Sequence, residues 1–132
     1  MTITKKVLKG NERITYPASI FGIRFDRVES FVFSMARQLS QSYDGGYWFF
    51  YELSNGGFYM SPDSDTPFRV TCMNGYEGTL SADGLGVTSC LYAYSHLSFS
   101  EELEESCGGN FHMLREYALT LPECQAILSA ID

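Results

Sequence analysis

An aromatic segment followed by a tight-turn sequence limits the fold of this chain more than any other feature. Residues 47–53 read YWFFYEL, and the next four residues read SNGG. A run that is almost wholly aromatic and apolar is typical of a central β-strand, and Asn-Gly readily supplies the positive φ angles of a hairpin turn. Residues 58–60, FYM, return as the second strand. The sequence therefore predicts a β-hairpin within an antiparallel sheet.

Further strands are predicted after this hairpin. Residues 68–73, FRVTCM, alternate well enough between apolar and polar side chains to form a third strand. Asn74-Gly75 is a second turn sequence of the same kind, and it leads into residues 76–80. We therefore expect three or four strands in an antiparallel meander.

The segment before the hairpin predicts one amphipathic helix. Apolar side chains recur there at helical spacing at Val28, Phe31, Val32, Met35 and Leu39. Asp26 is a suitable N-cap, because Glu29 follows three residues later in a capping-box pattern. These features predict a helix over residues 27–42. The first 25 residues are predicted to be irregular, with a short strand over residues 2–8 and a break at Pro17.

A buried helix is predicted directly after the strands. Ser81 is a suitable N-cap for it. Apolar residues then cover most of the helix circumference as far as Leu97, which is typical of a helix that is buried on all sides. Gly84 and Gly86 weaken its first turns by about 1 kcal/mol each relative to alanine. We expect them to be compatible with the helix where a neighbouring element packs closely against them.

The C-terminal part completes the predicted fold. Gly108-Gly109 is expected to interrupt the chain before a helix over residues 111–121, and Pro122 opens a last short helix over residues 123–131. The chain has 132 residues, of which 45% are hydrophobic, which is enough for one folded core. The sequence therefore predicts a single α+β domain over residues 1–132, in which a small antiparallel sheet packs against several helices.

The charge of the chain is uneven along its length and limits its partners. The net charge is −7, although residues 1–40 contain seven basic and three acidic residues. Residues 41–132 contain two basic and thirteen acidic residues. Neutralising phosphates requires lysine and arginine, so we expect no direct nucleic-acid binding by this long segment. An acidic surface is instead suited to a basic protein that handles DNA.

The residues that most often carry chemistry form no recognisable site. The two histidines, His96 and His112, and the four cysteines lack the paired spacing of a zinc site, and no phosphate-binding glycine motif occurs. Cys90 and His96 lie six residues apart on one predicted helix and face different ways. No secretory signal or membrane-length apolar run is present, so we expect free thiols in a reducing cytoplasm. The sequence predicts no catalytic residues, metal or cofactor.

Five segments resemble the ArdB/KlcA antirestriction proteins. They follow one another in the family's order over roughly residues 20–132, and the block GGYW…LSNGGFYM is specific. Residues 1–20 and 98–110 match less clearly. The segments are residues 44–62 (DGGYWFFYELSNGGFYMSP), 80–83 (LSAD), 95–97 (SHL), 114–118 (LREYA) and 130–132 (AID).

The resemblance implies a small α+β protein carried on bacterial plasmids, phages or genomic islands. Such proteins relieve restriction by type I restriction-modification systems, so that unmodified incoming DNA survives. The family has no established catalytic residues. We therefore expect a cytoplasmic, non-enzymatic protein, monomeric or weakly dimeric, that binds a type I restriction-modification enzyme or an associated host factor.

Acidic side chains are the predicted partner-binding residues. The prediction combines a loop after Pro62, a run of glutamates and the C-terminal residue, namely Asp63, Asp65, Glu101, Glu102, Glu104, Glu105 and Asp132. A solvated face with no partner remains an alternative for such charges. Two other functions also remain open, a small Cys/His-dependent hydrolase or thiol enzyme, and a general protein-interaction module with a partly exposed aromatic segment.

Overall fold

A computed structural model of the protein describes residues 2–132, and it contains five α-helices, one short 3-10 helix (Gly22–Arg24) and five strands. The helices are α1 (Glu12–Phe21), α2 (Phe25–Leu39), α3 (Ala82–Leu97), α4 (Glu104–Ala118) and α5 (Cys124–Ile131). The strands are β1 (Lys5–Val7), β2 (Trp48–Leu53), β3 (Phe58–Pro62), β4 (Phe68–Thr71) and β5 (Glu77–Leu80). No helix within residues 2–132 is long and apolar enough to cross a membrane.

The strands form two small antiparallel sheets, which confirms the α+β class. One sheet has the order β1-β2-β3, with Lys5 opposite Leu53 and Glu52 opposite Phe58. The predicted hairpin joins β2 to β3. Instead of continuing this meander, β4 pairs only with β5. Pro62 and Pro67 flank the intervening loop, and neither offers an N–H group to a neighbouring strand.

Helix α3 lies at the centre of the fold, as its sequence predicts. It packs against β3 and against three helices, α2, α4 and α5. The Ser81 hydroxyl accepts a hydrogen bond from the Gly84 amide at 3.0 Å and caps the helix. Gly86 faces β3 so closely that the two backbones are almost in contact. Close packing of neighbouring elements therefore explains why glycines occupy these positions of α3, although they weaken the helix locally.

The N-terminal part differs from the prediction. Residues 12–21 form α1, although Pro17 lies inside it, so the prediction of an irregular segment is wrong. Packing compensates for the lost helical hydrogen bond, because Pro17 and Phe21 are buried and the Phe21 ring lies 6.2 Å from that of Phe58. The predicted short strand is present as β1.

The start of α2 also differs from the prediction. The helix begins at Phe25 instead of residue 27, and it ends at Leu39. Asp26 therefore lies in the first turn, where its carboxylate is suited to the positive end of the helix dipole, and it is not the N-cap. The N-cap position is occupied by Arg24, which makes no side-chain capping bond.

Helix α4 passes through the glycine pair that was expected to interrupt the chain. It runs from Glu104 to Ala118 and includes Gly108 and Gly109. Residues on both sides of the pair are buried, among them Cys107 and Asn110. Their burial outweighs the low helix propensity of two glycines, which costs about 1 kcal/mol each.

Candidate partner-binding surfaces

The loop between β3 and β4 exposes Asp63 and Asp65. Both side chains are exposed, and the backbone amide of Asp63 donates to the Tyr47 carbonyl at 2.8 Å, which fixes the start of the loop. Asp63, Asp44 and Phe68 line the same open cleft. Two carboxylates therefore face solvent around one depression of the surface.

The glutamate run lies at the connection between α3 and α4. All four glutamates are exposed, and Glu104 and Glu105 form the first turn of α4. Glu102 is paired with Arg27 of α2, with its Oε2 at 3.0 Å from Arg27 Nη1. The hydrogen bonds from Arg27 and Ser100 hold the pKa of Glu102 below its usual range. The Glu102 carboxylate thus already has partners within the chain.

Asp132 is held beside the turn between β4 and β5. The Asn74 side-chain amide donates to the backbone carbonyls of Ser129 and Asp132, at 3.0 and 2.5 Å. The Asp132 side chain remains exposed. The end of α5 is therefore fixed against the second sheet, and Asp132 lies near the turn of that sheet.

The Asp63–Asp65 loop and the glutamate run do not form one continuous site. Arg27 and its partner Glu102 lie at the N-terminal end of α2, whereas Tyr43 and Phe68 pack together just beyond its C-terminal end. A helix of 15 residues spans about 22 Å. The Asp63–Asp65 loop and the glutamate run therefore lie at opposite ends of α2. A partner that contacts both must cover that whole length.

A polar cluster that sequence reasoning missed ties β1 to α3. The Tyr59 hydroxyl donates to Asp83 Oδ1 at 2.6 Å, and Lys5 Nζ lies 3.3 Å from the same oxygen. Lys5 also lies 4.6 Å from the centre of the Tyr51 ring, which stacks on Tyr59 at 4.8 Å. Burial and the neighbouring Asp83 carboxylate raise the pKa of Tyr59, so this tyrosine is a hydrogen-bond donor at neutral pH.

The central hairpin has a structural role that agrees with its interpretation as a fold-determining segment. Gly56 has φ +94°, and the Asn55 side chain accepts from the Gly57 amide at 3.1 Å and donates to the Met113 carbonyl at 3.0 Å. Trp48 is buried and donates to the Tyr43 hydroxyl at 2.9 Å. Tyr47 is the exception, because 56% of it is exposed.

Burial raises the pKa of three of the four thiols, those of Cys72, Cys90 and Cys107, and so suppresses their ionisation. All four cysteines are free, and Cys72, Cys90 and Cys107 are buried. Burial raises the pKa of the Cys90 thiol to about 12 and that of Cys107 to about 11. Cys90 points its thiol at the Met60 carbonyl, 3.7 Å away. A nucleophilic cysteine needs a stabilised thiolate, and these environments favour the neutral thiol.

We expect Cys124 to react with a thiol reagent before the other three cysteines. It is half-buried, whereas the others are buried and Cys90 and Cys107 have raised pKa values. Colorimetric thiol titration at about pH 8 checks this, with mass spectrometry locating the modified residue. Cys124→Ser removes the fast phase, and full denaturation exposes the remaining thiols. A fast phase that persists in Cys124→Ser would contradict the expectation.

The histidines are exposed and lie beside aromatic rings. The His96 ring lies 5.4 Å from that of Phe31, and the His112 ring lies 5.7 Å from that of Phe111. No hydrogen bond joins a cysteine to an imidazole in the described part of the chain. Residues 2–132 also contain no group of three or more His, Cys, Asp or Glu side chains arranged to hold a metal ion.

Comparison with known proteins identifies similar sequences over most of the chain. A family model described as "Antirestriction protein" matches residues 41–132. The uncharacterised protein YafX of Escherichia coli K12 is 36% identical over 135 residues, covering 98% of this chain and 88% of that protein. The antirestriction protein KlcA of Escherichia coli is 33% identical over 135 residues, covering 98% of this chain and 95% of that protein.

A solved structure has the same fold. It superposes with a TM-score of 0.91 at 34% sequence identity and covers 100% of this chain and 96% of the other. It comes from work on the KlcA and ArdB proteins, which describes a novel fold and antirestriction activity against Type I DNA restriction systems in vivo but not in vitro. The similarity extends through the N-terminal segment, which the family model leaves unmatched.

Proposed function

The chain belongs to the antirestriction protein family, and from this membership we propose that it relieves type I restriction of unmodified DNA by binding a protein, without catalysis. The bound protein is a component of the restriction-modification enzyme or a host factor that the enzyme requires. In this proposal the protein is encoded on a mobile genetic element of bacteria.

The observation that carries the proposal is the similarity of the whole chain to a protein active against type I systems. That relative acts in vivo but not in vitro. A difference of this kind is expected when the inhibitor needs a component that is present in the cell and missing from the purified reaction. It supports a host factor, or an assembly state of the enzyme found only in cells, as the target.

The charges of the surface support a basic protein as the partner. Glu101, Glu104 and Glu105 are exposed and form no ion pair within residues 2–132. Exposed charges of one sign steer association and select a complementary partner more than they add affinity. We propose that this glutamate run and the Asp63–Asp65 loop contact basic side chains of the target.

Plating efficiency of unmodified phage tests the function. The protein is expressed in a host with a type I system and in a matched host that lacks the restriction subunit. We expect plating to rise only in the restricting host. Unchanged plating in that host, with soluble protein confirmed by immunoblot, would contradict the proposed function.

Charge-neutralising variants test the proposed surface. We expect Glu101→Gln combined with Glu104→Gln to reduce restriction relief about tenfold. The matched control is Glu77→Gln combined with Glu116→Gln, which removes the same charge from exposed positions outside the proposed surface. Equal relief by the two double variants would show that the position of the removed charges does not matter, and it would remove the glutamate run from the proposal.

A further inference from the structure

A second cleft lies between α1, α2 and β2, and it holds about 420 Å³. Its floor contains the half-buried Phe25 ring, which meets the buried Phe50 ring edge to face at 5.7 Å. Its rim is formed by α1, where Ile14 is 69% exposed and Ala18 has only a methyl group. An apolar side chain of a ligand therefore has both room and apolar contacts in this cleft.

Arg13 supplies hydrogen-bond donors in the cleft. Its guanidinium carbon lies 4.0 Å from the centre of the Phe50 ring and 4.8 Å from that of Tyr47. One nitrogen, Nη1, donates to the Trp48 carbonyl at 3.0 Å. A guanidinium has five N–H groups, and the others take no partner from residues 2–132. The rings and the carbonyl hold Arg13 in place while leaving donors available.

Glu29 supplies acceptors in the same cleft. Its carboxylate is half-buried on α2 and lines the same cleft. It forms no ion pair with Arg13 or with any other residue in the described part of the chain. Burial raises the pKa of Glu29, and nearby Asp26 adds to this, while Arg13 opposes it. The cleft therefore places unpaired acceptors and unpaired donors around an apolar floor.

The two charges select among possible ligands. An anion that binds Arg13 is repelled by Glu29, and a cation that binds Glu29 is repelled by Arg13. A peptide amide carries no net charge, and it offers both a carbonyl acceptor suited to Arg13 and an N–H donor suited to Glu29. We propose that this cleft binds a segment of a protein partner through one apolar side chain and its flanking main-chain amide.

The statement that the bound segment belongs to the target of restriction relief rests on the proposed function. The statement that the cleft binds a peptide segment does not. The first test is therefore direct binding of acetyl-leucine-N-methylamide, which carries one apolar side chain between two amides. A probe of this size is expected to bind at about 1–10 mM. We expect NMR shift changes at the Ala18 and Gly22 amides and at the Arg13 Nε–H group.

Two variants of α1 make the test specific. Ala18→Glu places a carboxylate in the cleft, and Ser19→Glu places the same group at the next position, which faces another side of the helix. Both residues are exposed, so neither change buries a charge. We expect Ala18→Glu to abolish probe binding and to lower restriction relief at least tenfold, at an unchanged melting temperature. Ser19→Glu is expected to retain both properties.

The outcomes separate this inference from the proposed function. In one outcome the wild-type protein does not relieve restriction, but the probe binds the wild-type protein and does not bind Ala18→Glu. The proposed function is then contradicted and the cleft assignment stands. If restriction is relieved but the probe leaves the cleft signals unchanged, the assignment is overturned. Stronger shifts with acetate or methylammonium than with the capped leucine would also overturn it, in favour of a charged ligand.

Discussion

Gly86→Val is expected to destabilise the fold strongly. A Cβ atom at Gly86 would lie 2.4 Å from the Met60 carbonyl oxygen and 2.5 Å from Ser61 Cα. These are backbone atoms of β3, and pairing with β2 holds them in place. Relief therefore requires α3 to move away from the sheet, and we expect a loss of about 3 kcal/mol or more. Urea unfolding followed by circular dichroism measures the change.

Gly109→Val is the matched control for this prediction. It introduces the same side chain into a helix, but a Cβ atom at Gly109 meets nothing within 4 Å. Valine has a higher helix propensity than glycine, so stability should stay the same or rise by less than about 1 kcal/mol. Equal urea midpoints for the two variants would contradict the packing argument, because the stability lost in Gly86→Val would then have another cause.

The parts of the fold that depend on local chemistry were predictable from the sequence. The hairpin at Asn55-Gly56 and the Ser81 cap follow from neighbouring residues alone, and the structure has both. Helix α1 was not predictable in this way. Pro17 disfavours a helix locally, and the packing of Phe21 on Phe58 and Tyr94 that compensates involves residues distant in sequence.

The acidic surface was predictable in part. A run such as Glu101–Glu105 is exposed because ionised groups are costly to bury, but the sequence does not indicate which member pairs with Arg27. The sequence also does not show that α2 separates the two main acidic positions. The Arg13–Glu29 cleft gives no sequence signal, because neither residue belongs to a motif and their proximity depends on how α1 packs beside α2.

Asn110→Leu is expected to destabilise the protein by about 2 kcal/mol. Asn110 is buried in α4, and its Oδ1 accepts from the Phe58 amide at 2.9 Å while its Nδ2 donates to the Ser106 carbonyl at 3.0 Å. Leucine has a similar size and no acceptor, so the Phe58 amide is left without a partner at a fully buried residue. Amide hydrogen exchange at Phe58 should accelerate together with the fall in stability.

Asn74→Leu is the control for Asn110→Leu. It shows whether stability falls because a buried hydrogen-bond partner is lost or because any asparagine that joins distant segments is lost. Asn74 also joins distant segments, since its Nδ2 donates to carbonyls at the end of α5 and its Oδ1 accepts from the Tyr76 amide. It is exposed, so water replaces its bonds and the cost should stay below about 1 kcal/mol. If the two variants lose the same stability, burial is not what gives Asn110 its importance. A larger loss in Asn110→Leu means that α4 stabilises the hairpin by supplying an acceptor that solvent cannot replace.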